Sequence, residues 1–459
     1  LPIHPIEYRY GSAEMKTVFE RSSWLEKMLK VEATLAGAHA EVGDIPVEAA
    51  KAISEKASLK HVSLDAVARY EKQIGHEVMS VVKALSDACG ASGGYVHLGA
   101  TSADITDTVL ALQVKEALAL IRRDLEQLMG LLAEDAEKYR ETICLGRTHG
   151  VAAIPMPFGF KFAVWASEAR RHLERLNEAE PRACRGKMSG AIGTMAGLGK
   201  NALRVQELMM AKLGLQASEV STQVVPRDGL AEFLGLVCLI SSFLDKIANE
   251  VRNLQRTEIR EVEEPFEEER QVGSSTMPHK RNPEKCEKVC GLARTIRGYA
   301  RTALENTVLE HERDLTNSSC ERIMIPEACI LLDEQLKTML KVIRGLIVYP
   351  ENMLRNIEAT RGLAMSEAAM LALAEKGPGR QWAHELIRRY SMEAWRGPLS
   401  LPEILKRSPE ARKYLTDEEV DAIFDPKGYL GTSQQQIDKV VAETRLFLKS
   451  ARKPETKQR

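Results

Sequence analysis

An all-α protein is predicted, on three observations: a composition of helix formers, long stretches of three-and-four apolar spacing, and few β-branched runs. Ala, Leu, Glu, Lys and Arg dominate the 459 residues, and aromatics make up only 5%. Those dominant side chains lose least on entering a helix. Three segments carry apolar stripes at the helical period, each long enough to bury one face over several turns. The chain is longer than one hydrophobic core usually supports, so two or three subdomains, or one elongated unit, are expected.

In chain order, residues 1–105 read as an N-terminal helical domain ending in "GGYVHLGATSADITDT", Gly93 to Thr108. This loop is rich in Gly, Ser, Thr and Asp, and Thr106, Asp107 or Thr108 would cap the helix that follows. Residues 106–350 read as a central bundle of long helices. Its first stripe is Leu118, Ile121, Leu125, Leu128, Leu132, Ala136 and Tyr139, with "GRTHG", Gly146 to Gly150, expected as a tight polar loop at the end of a long helix. The second stripe, Leu230, Phe233, Val237, Ile240, Leu244, Ile247, Val251 and Leu254, predicts a helix from about Asp228 to Glu263. Such a helix would be roughly 54 Å long at about 1.5 Å per residue.

The acidic stretch "EVEEPFEEER", Glu261 to Arg270, comes next, and "GSSTMPHKRNP", Gly273 to Pro283, follows two residues later. Asn282 and Pro283 read as the cap and first residue of another helix, on which Gly298, Ala300 and Ala303 would let a neighbour approach closely. The third stripe, Leu332, Leu336, Met339, Ile343 and Leu346, stops near Tyr349 and Pro350. Residues 351–459 then read as a smaller C-terminal helical domain, broken at "EKGPGR", "RGPLSLP" and "DPKGYLG" and ending in the solvated tail "SARKPETKQR". A bundle of helices this long is also expected to meet partner subunits.

Composition narrows the function. Sixty-four Lys and Arg against 65 Asp and Glu leave a net charge of -1, which argues against nucleic-acid or membrane-surface binding as the main role. An anionic ligand must therefore be held by a local cluster. The eight cysteines, at 89, 144, 184, 238, 286, 290, 320 and 329, lack the paired spacing of zinc or disulfide frameworks. Cys286 and Cys290, one helical turn apart, read as packing residues, and reduced thiols point to the cytoplasm. No early basic-then-apolar segment and no apolar run of spanning length is present.

The chemistry is expected in the polar loops. The Gly93 to Thr108 segment holds His97, Thr101, Ser102 and Asp104, and "GRTHG" would present His149 accessibly, between Thr148 and Gly150. Histidine is the side chain best tuned for proton transfer near neutral pH. In "GSSTMPHKRNP", Gly273, Ser274 and Ser275 let backbone N–H groups converge on an anion, Lys280 adds a point charge, and the following helix would turn its positive end to the same place. That combination reads as a cradle for carboxylate or phosphate. The P-loop spacing is missing, "GLGKN" at Gly197 to Asn201 reads as a turn, and no metal or cofactor constellation is recognisable.

"GSSTMPHKRNP" resembles the signature of the fumarase/aspartase superfamily of lyases, approximately G-S-S-x-M-P-x-K-x-N-P, and the match is complete. The order of "TSADITDT", "GRTHG" and the signature, separated by long helices, is also similar, and the resemblance covers essentially the whole chain. Within the superfamily the chain resembles the adenylosuccinate lyases. "YRYGSAEM" is similar to their opening and carries Arg9 and Tyr10; "IGHEVMSVV" carries His76 and Glu77, with Glu77 where an Asp is more familiar and Gly75 where bacterial members often have Arg. "VHLGATS" matches with His97, Thr101 and Ser102, "STQVVPRD" with Gln223, and "HERDLTNSSCERI" with Arg313, Ser318 and Arg322.

The resemblance implies a three-domain fold with a tetrameric core of long helices, and a β-elimination that releases fumarate from adenylosuccinate and from succinyl-aminoimidazole carboxamide ribotide, without a cofactor. It implies Ser274 as general base and His149 as general acid. Lys280 and Asn282 would hold the succinyl carboxylates, Arg9, Arg313 and Arg322 the phosphate and ribose side, and Tyr10, His76, Glu77, His97, Thr101, Ser102, Thr148, Gln223 and Ser318 the rest of the substrate. The loop around Ser274 would close as a lid, each site would draw on three subunits, and the acidic stretch before the loop would only keep its hinge solvated. Two other readings stay open: a carboxymuconate cycloisomerase, whose signature can be nearly identical, and a non-catalytic crystallin-like protein on the same fold.

Overall fold

The computed structural model describes residues 3–266 and 276–451. It is mostly helical. The longest helices are Ser102–Lys138, Gly159–Ala183, Asp228–Leu254, Glu284–Glu305 and Thr316–Arg344. Their apolar stripes face inward as the periodicity requires: Leu118, Ile121, Leu125, Leu128, Leu132 and Ala136 are buried, as are Phe233 to Leu254 of the second stripe and Leu332, Leu336, Met339 and Ile343 of the third. Cys286 and Cys290 are buried on their helix. Among the described residues the strands form three two-stranded sheets, so the chain is predominantly rather than wholly α.

Four boundaries differ from the sequence expectation. The first long helix starts at Ser102, ahead of the expected caps; the Asp104 carboxylate accepts the Thr101 N–H at 2.8 Å, and Asp107 and Thr108 lie buried inside the helix. The Asp228 helix stops at Leu254, the last apolar residue of its stripe, and spans roughly 40 Å rather than 54 Å. "GRTHG" belongs to a β-hairpin, not to a helix end. The helix after the signature begins at Glu284, and its leading N–H groups are received by Glu264, whose two oxygens each lie 3.1 Å from the backbone nitrogens of Lys285 and Cys286. A carboxylate at that position also complements the helix dipole.

The chain divides into two compact units. One consists of Leu1–Asp124, His172–Leu244 and Cys290–Lys337. In it the Arg21–Glu41 helix packs on Val47–Lys56 and Ala202–Leu213. The opening stretch is tied down where the Gly11 N–H donates to Glu334 (3.0 Å) and the Ser12 N–H to Asp333 (2.6 Å). The other unit consists of Leu125–Arg171, Asp245–Val289 and Thr338–Arg459. It contains the hairpin, whose base residues Ile143 and Leu145 pack with Ile357 and Ala364, and a separate helical core around Leu373, Ala383, Leu386, Leu401 and Leu405.

Candidate active site

The hairpin pairs Ile143–Thr148 with Val151–Pro157, closing on Thr148 opposite Val151. That register leaves His149 and Gly150 as a two-residue turn, and both have left-handed backbones, φ 56° and 74°. Two positive φ values in succession match the right-handed twist of the strands; glycine takes them without strain and histidine tolerates them better than most residues. Thr148, His149 and Gly150 are all exposed. The imidazole therefore stands at the exposed tip of a ribbon.

What steadies that tip comes from the acidic stretch. Arg147 places two guanidinium nitrogens on Glu261, at 2.6 and 3.1 Å, and the Glu261 side chain is fully buried. Asn356 donates to the same carboxylate at 2.8 Å. The stretch does more. Glu263 accepts from Tyr349 (2.8 Å) and pairs with Arg281 (3.4 Å), Val262 and Glu263 form a strand with Val348 and Ile347, and Glu264 caps the next helix. Solvating a hinge is thus not the role of these three carboxylates; they are structural anchors on both sides of the signature. Ser274, with Gly273 and Ser275, lies outside the described residues. Of the signature's charged end, Lys280 is exposed and Asn282 half-buried.

The remaining candidates fall in the other unit, where three pairs meet. His76 caps the Glu77–Cys89 helix through the Met79 N–H, and its Nε2 lies 3.5 Å from the Ser102 hydroxyl. Gly75 before it has φ 66° as the left-handed residue ending the preceding helix, which accounts for a glycine there. Glu77 pairs with Arg322 at 2.7 Å, and Arg313 donates to Gln223 at 3.0 Å. Burial holds Arg313 below its ordinary pKa. His97 hydrogen-bonds Glu32 through Nδ1 at 2.7 Å. Arg9 is exposed just after the Pro5–Tyr8 turn, Tyr10 and Ser318 are half-buried, and Thr101 leads the long helix.

Several pairings that organise this half escaped sequence reading. Arg227, nearly buried, grips Asp107 with two nitrogens (2.8 and 2.9 Å) and reaches Glu321 at 2.9 Å, joining the start of the Ser102 helix to the residue before Arg322. Lys187 and Asp104, both fully buried, pair at 2.6 Å, and Asp104 also receives the Ser189 N–H at 2.8 Å. Glu32 left one signal: it interrupts the buried stripe of Leu25, Met28, Leu29, Leu35 and Ala36 with a charge.

A family model described as "Lyase" matches residues 8–298, and one described as "Adenylosuccinate lyase C-terminus" matches residues 362–440. The chain is 51% identical to the adenylosuccinate lyase of Pyrococcus abyssi over 96% of its own length and 98% of the relative's, and 52% identical to that of Pyrococcus horikoshii over the same shares. The chain belongs to the adenylosuccinate lyase family.

Among solved structures, the 3-carboxy-cis,cis-muconate lactonizing enzyme of Pseudomonas putida superposes with a TM-score of 0.88 at 33% identity, covering 96% of this chain and 99% of that one. The shared fold explains why signature and helix order alone left a cycloisomerase open. Identity above one half, over nearly the full length, lies with the adenylosuccinate lyases.

Proposed function

We infer that the protein cleaves adenylosuccinate by β-elimination, yielding AMP and fumarate. The observation that carries this reading is the near full-length identity to archaeal adenylosuccinate lyases, together with the match to that family's C-terminal model. The same chemistry extends to succinyl-aminoimidazole carboxamide ribotide, which carries the same succinyl group on a carboxamide nitrogen.

In this reaction a base removes a proton from the carbon beside a succinyl carboxylate, the C–N bond then breaks with its electrons going to nitrogen, and an acid protonates that nitrogen. Ser274 is the base and His149 the acid. An exposed imidazole at a braced hairpin tip suits the second step, since it can reach a departing nitrogen without being desolvated first. The carbanion needs positive charge already in place, which Lys280 supplies beside Asn282. Arg9, Arg313 and Arg322 take the phosphate and ribose side, where planar guanidinium groups suit a phosphate, and Tyr10, His76, Glu77, His97, Thr101, Ser102, Thr148, Gln223 and Ser318 complete the pocket.

The active unit is a homotetramer in which three chains contribute to each site, and the chain is organised as 1–105, 106–350 and 351–459. Supporting this are large apolar side chains exposed on the long helices, Val164, Leu239, Leu304 and Ile323, and the exposed Gly298, which has open space where a Cβ would stand. No helix among the described residues is long and apolar enough to cross a membrane, and the cysteines are unbridged, in keeping with a cytoplasmic enzyme.

The test is direct. Purified protein is given adenylosuccinate and, separately, carboxymuconate, and each is followed by ultraviolet absorbance. Loss of adenylosuccinate with equimolar fumarate is expected; turnover of carboxymuconate alone would overturn the assignment, and turnover of neither would favour the non-catalytic reading.

A further inference from the structure

Between the Gly90–Tyr95 turn and the Ser102 helix, the segment around His97 is held more tightly than a loop requires. His97 itself is left-handed, φ 64°, and so is Gly99, φ 71°, where an added Cβ would stand 2.6 Å from the Gly197 carbonyl oxygen. The Leu98 carbonyl is hydrogen-bonded by His39 at 3.2 Å, and His39 is in turn held by Asp44 at 2.9 Å. The imidazole is nine-tenths buried, at 11% exposure, and its Nδ1 lies 2.7 Å from the Glu32 carboxylate, which is 0% exposed.

Among the described residues Glu32 has no other side-chain hydrogen bond: its second oxygen is buried without a partner there. A carboxylate left half-satisfied in an apolar helix face is costly, and the stripe around it would pack better with Leu or Ala. Its one side-chain partner among the described residues is His97. The carboxylate accepts from Nδ1–H, so Nε2 is the nitrogen left to meet a ligand; it makes no hydrogen bond among the described residues. Thr101 ends the loop that holds His97 and Ser102 begins the next helix, so on the proposed function whatever meets Nε2 is in the substrate's neighbourhood.

We propose that Glu32 is a positioning residue for substrate binding: it fixes His97 through Nδ1 so that Nε2 carries a proton and donates it, in a charge-assisted hydrogen bond, to an oxyanion of the substrate. This rests on the adenylosuccinate lyase reading only for the identity of that oxyanion, a phosphate or a carboxylate. Burial works against a charged imidazole here, but the hydrogen bond and charge of Glu32, with the more distant Asp104, outweigh it, and the pKa of His97 is raised. The other charged groups nearby are already committed: Asp104 to Lys187, and His39 to Asp44. Without Glu32 the imidazole would turn neutral at lower pH, and its Nε2 would face an oxyanion with a lone pair.

The experiment is calorimetric titration of the full-length protein with AMP, which carries only the phosphate, and with fumarate, which carries only carboxylates, from about pH 6 to about pH 9, across the histidine range. The wild type, Glu32→Gln, His97→Gln and the double variant are compared. One of the two ligands is expected to bind less tightly as pH rises, and Glu32→Gln to move that weakening to lower pH, with about a tenfold loss near neutrality, as for one charged hydrogen bond. In the His97→Gln background the Glu32 change should add nothing. AMP as the sensitive ligand identifies phosphate, and fumarate identifies carboxylate. Wild-type affinity and pH dependence in Glu32→Gln, or an undiminished effect in the His97→Gln background, would overturn the proposal. If Glu32→Gln does not fold, Glu32→Asp keeps the charge but withdraws its reach, and unaltered affinity there counts equally against it. Binding is read without turnover, so an inactive wild type would count against the assigned reaction alone.

Discussion

The Arg147 guanidinium and the buried Glu261 carboxylate form a two-pronged pair, 2.6 and 3.1 Å, between residues 114 apart in sequence. Arg147 is two residues before His149, and Glu261 opens the acidic stretch that leads to the signature. Replacing the carboxylate by an amide takes the charged acceptor from Arg147 and leaves it the Leu145 carbonyl, which loosens the hairpin tip. Glu261→Gln should lower kcat by roughly ten- to a hundredfold, the scale of a small misplacement of a catalytic group, with a lesser change in KM. Steady-state kinetics read this, and an unchanged kcat would show that the turn holds His149 unaided.

Arg227 is the equivalent brace in the other unit. It neutralises two buried carboxylates, Asp107 and Glu321, and the second adjoins Arg322. Arg227→Met should destabilise the protein by about 3–5 kcal/mol, because two buried charges lose their partner. Arg227→Lys, which keeps charge but not the fork, should fold and show a raised KM for adenylosuccinate. Denaturant unfolding and kinetics on the two variants separate these effects.

Asp135 should make stability depend on pH in an unusual direction. Burial raises its pKa from 3.8 to about 6, with Lys138 opposing and Glu134 adding to the shift. Below about pH 4 the group is neutral whether folded or not. Between there and about pH 6 the native state keeps a proton that the unfolded chain releases, so stability falls as pH rises, by about 2 kcal/mol in all once partial exposure is allowed for. Asp135→Asn should therefore raise Tm above pH 6 and leave it unchanged near pH 4. A gain of equal size at both would point to a cause other than ionisation.

Shared sites predict complementation. Ser274→Ala and His149→Ala should each be inactive as pure proteins, and hybrids reassembled from the two should regain part of the activity, since some sites then draw their intact base and acid from different chains. Activity that stays absent after verified subunit exchange would mean that both groups come from one chain.

Much of this molecule can be read from local pattern. The stripes at Leu118 and Phe233 announce helices because burial follows a period of 3.6, and each stripe is buried in the structure. His149 was recognisable as accessible because short polar and glycine neighbours leave little to cover it. Polar residues were where local reading failed. Asp107 and Thr108 look like caps from their neighbours alone, yet sit inside a helix with partners at Arg227 and Lys187. Glu264 looks like part of a charge run and is instead a cap for a helix that begins twenty residues later.

The sequence by itself determined the helical class and the family, because each depends on periodicity or on contiguous motifs. Only the tertiary structure decided that His149 rides on a β-turn, that Glu261 braces it, and that Glu32 holds His97. The reason is physical: a buried charge is tolerated only where a partner meets it, and here the partners lie 65 to 120 residues away. Which carboxylate meets which cation is settled when the helices pack, and no local pattern records it.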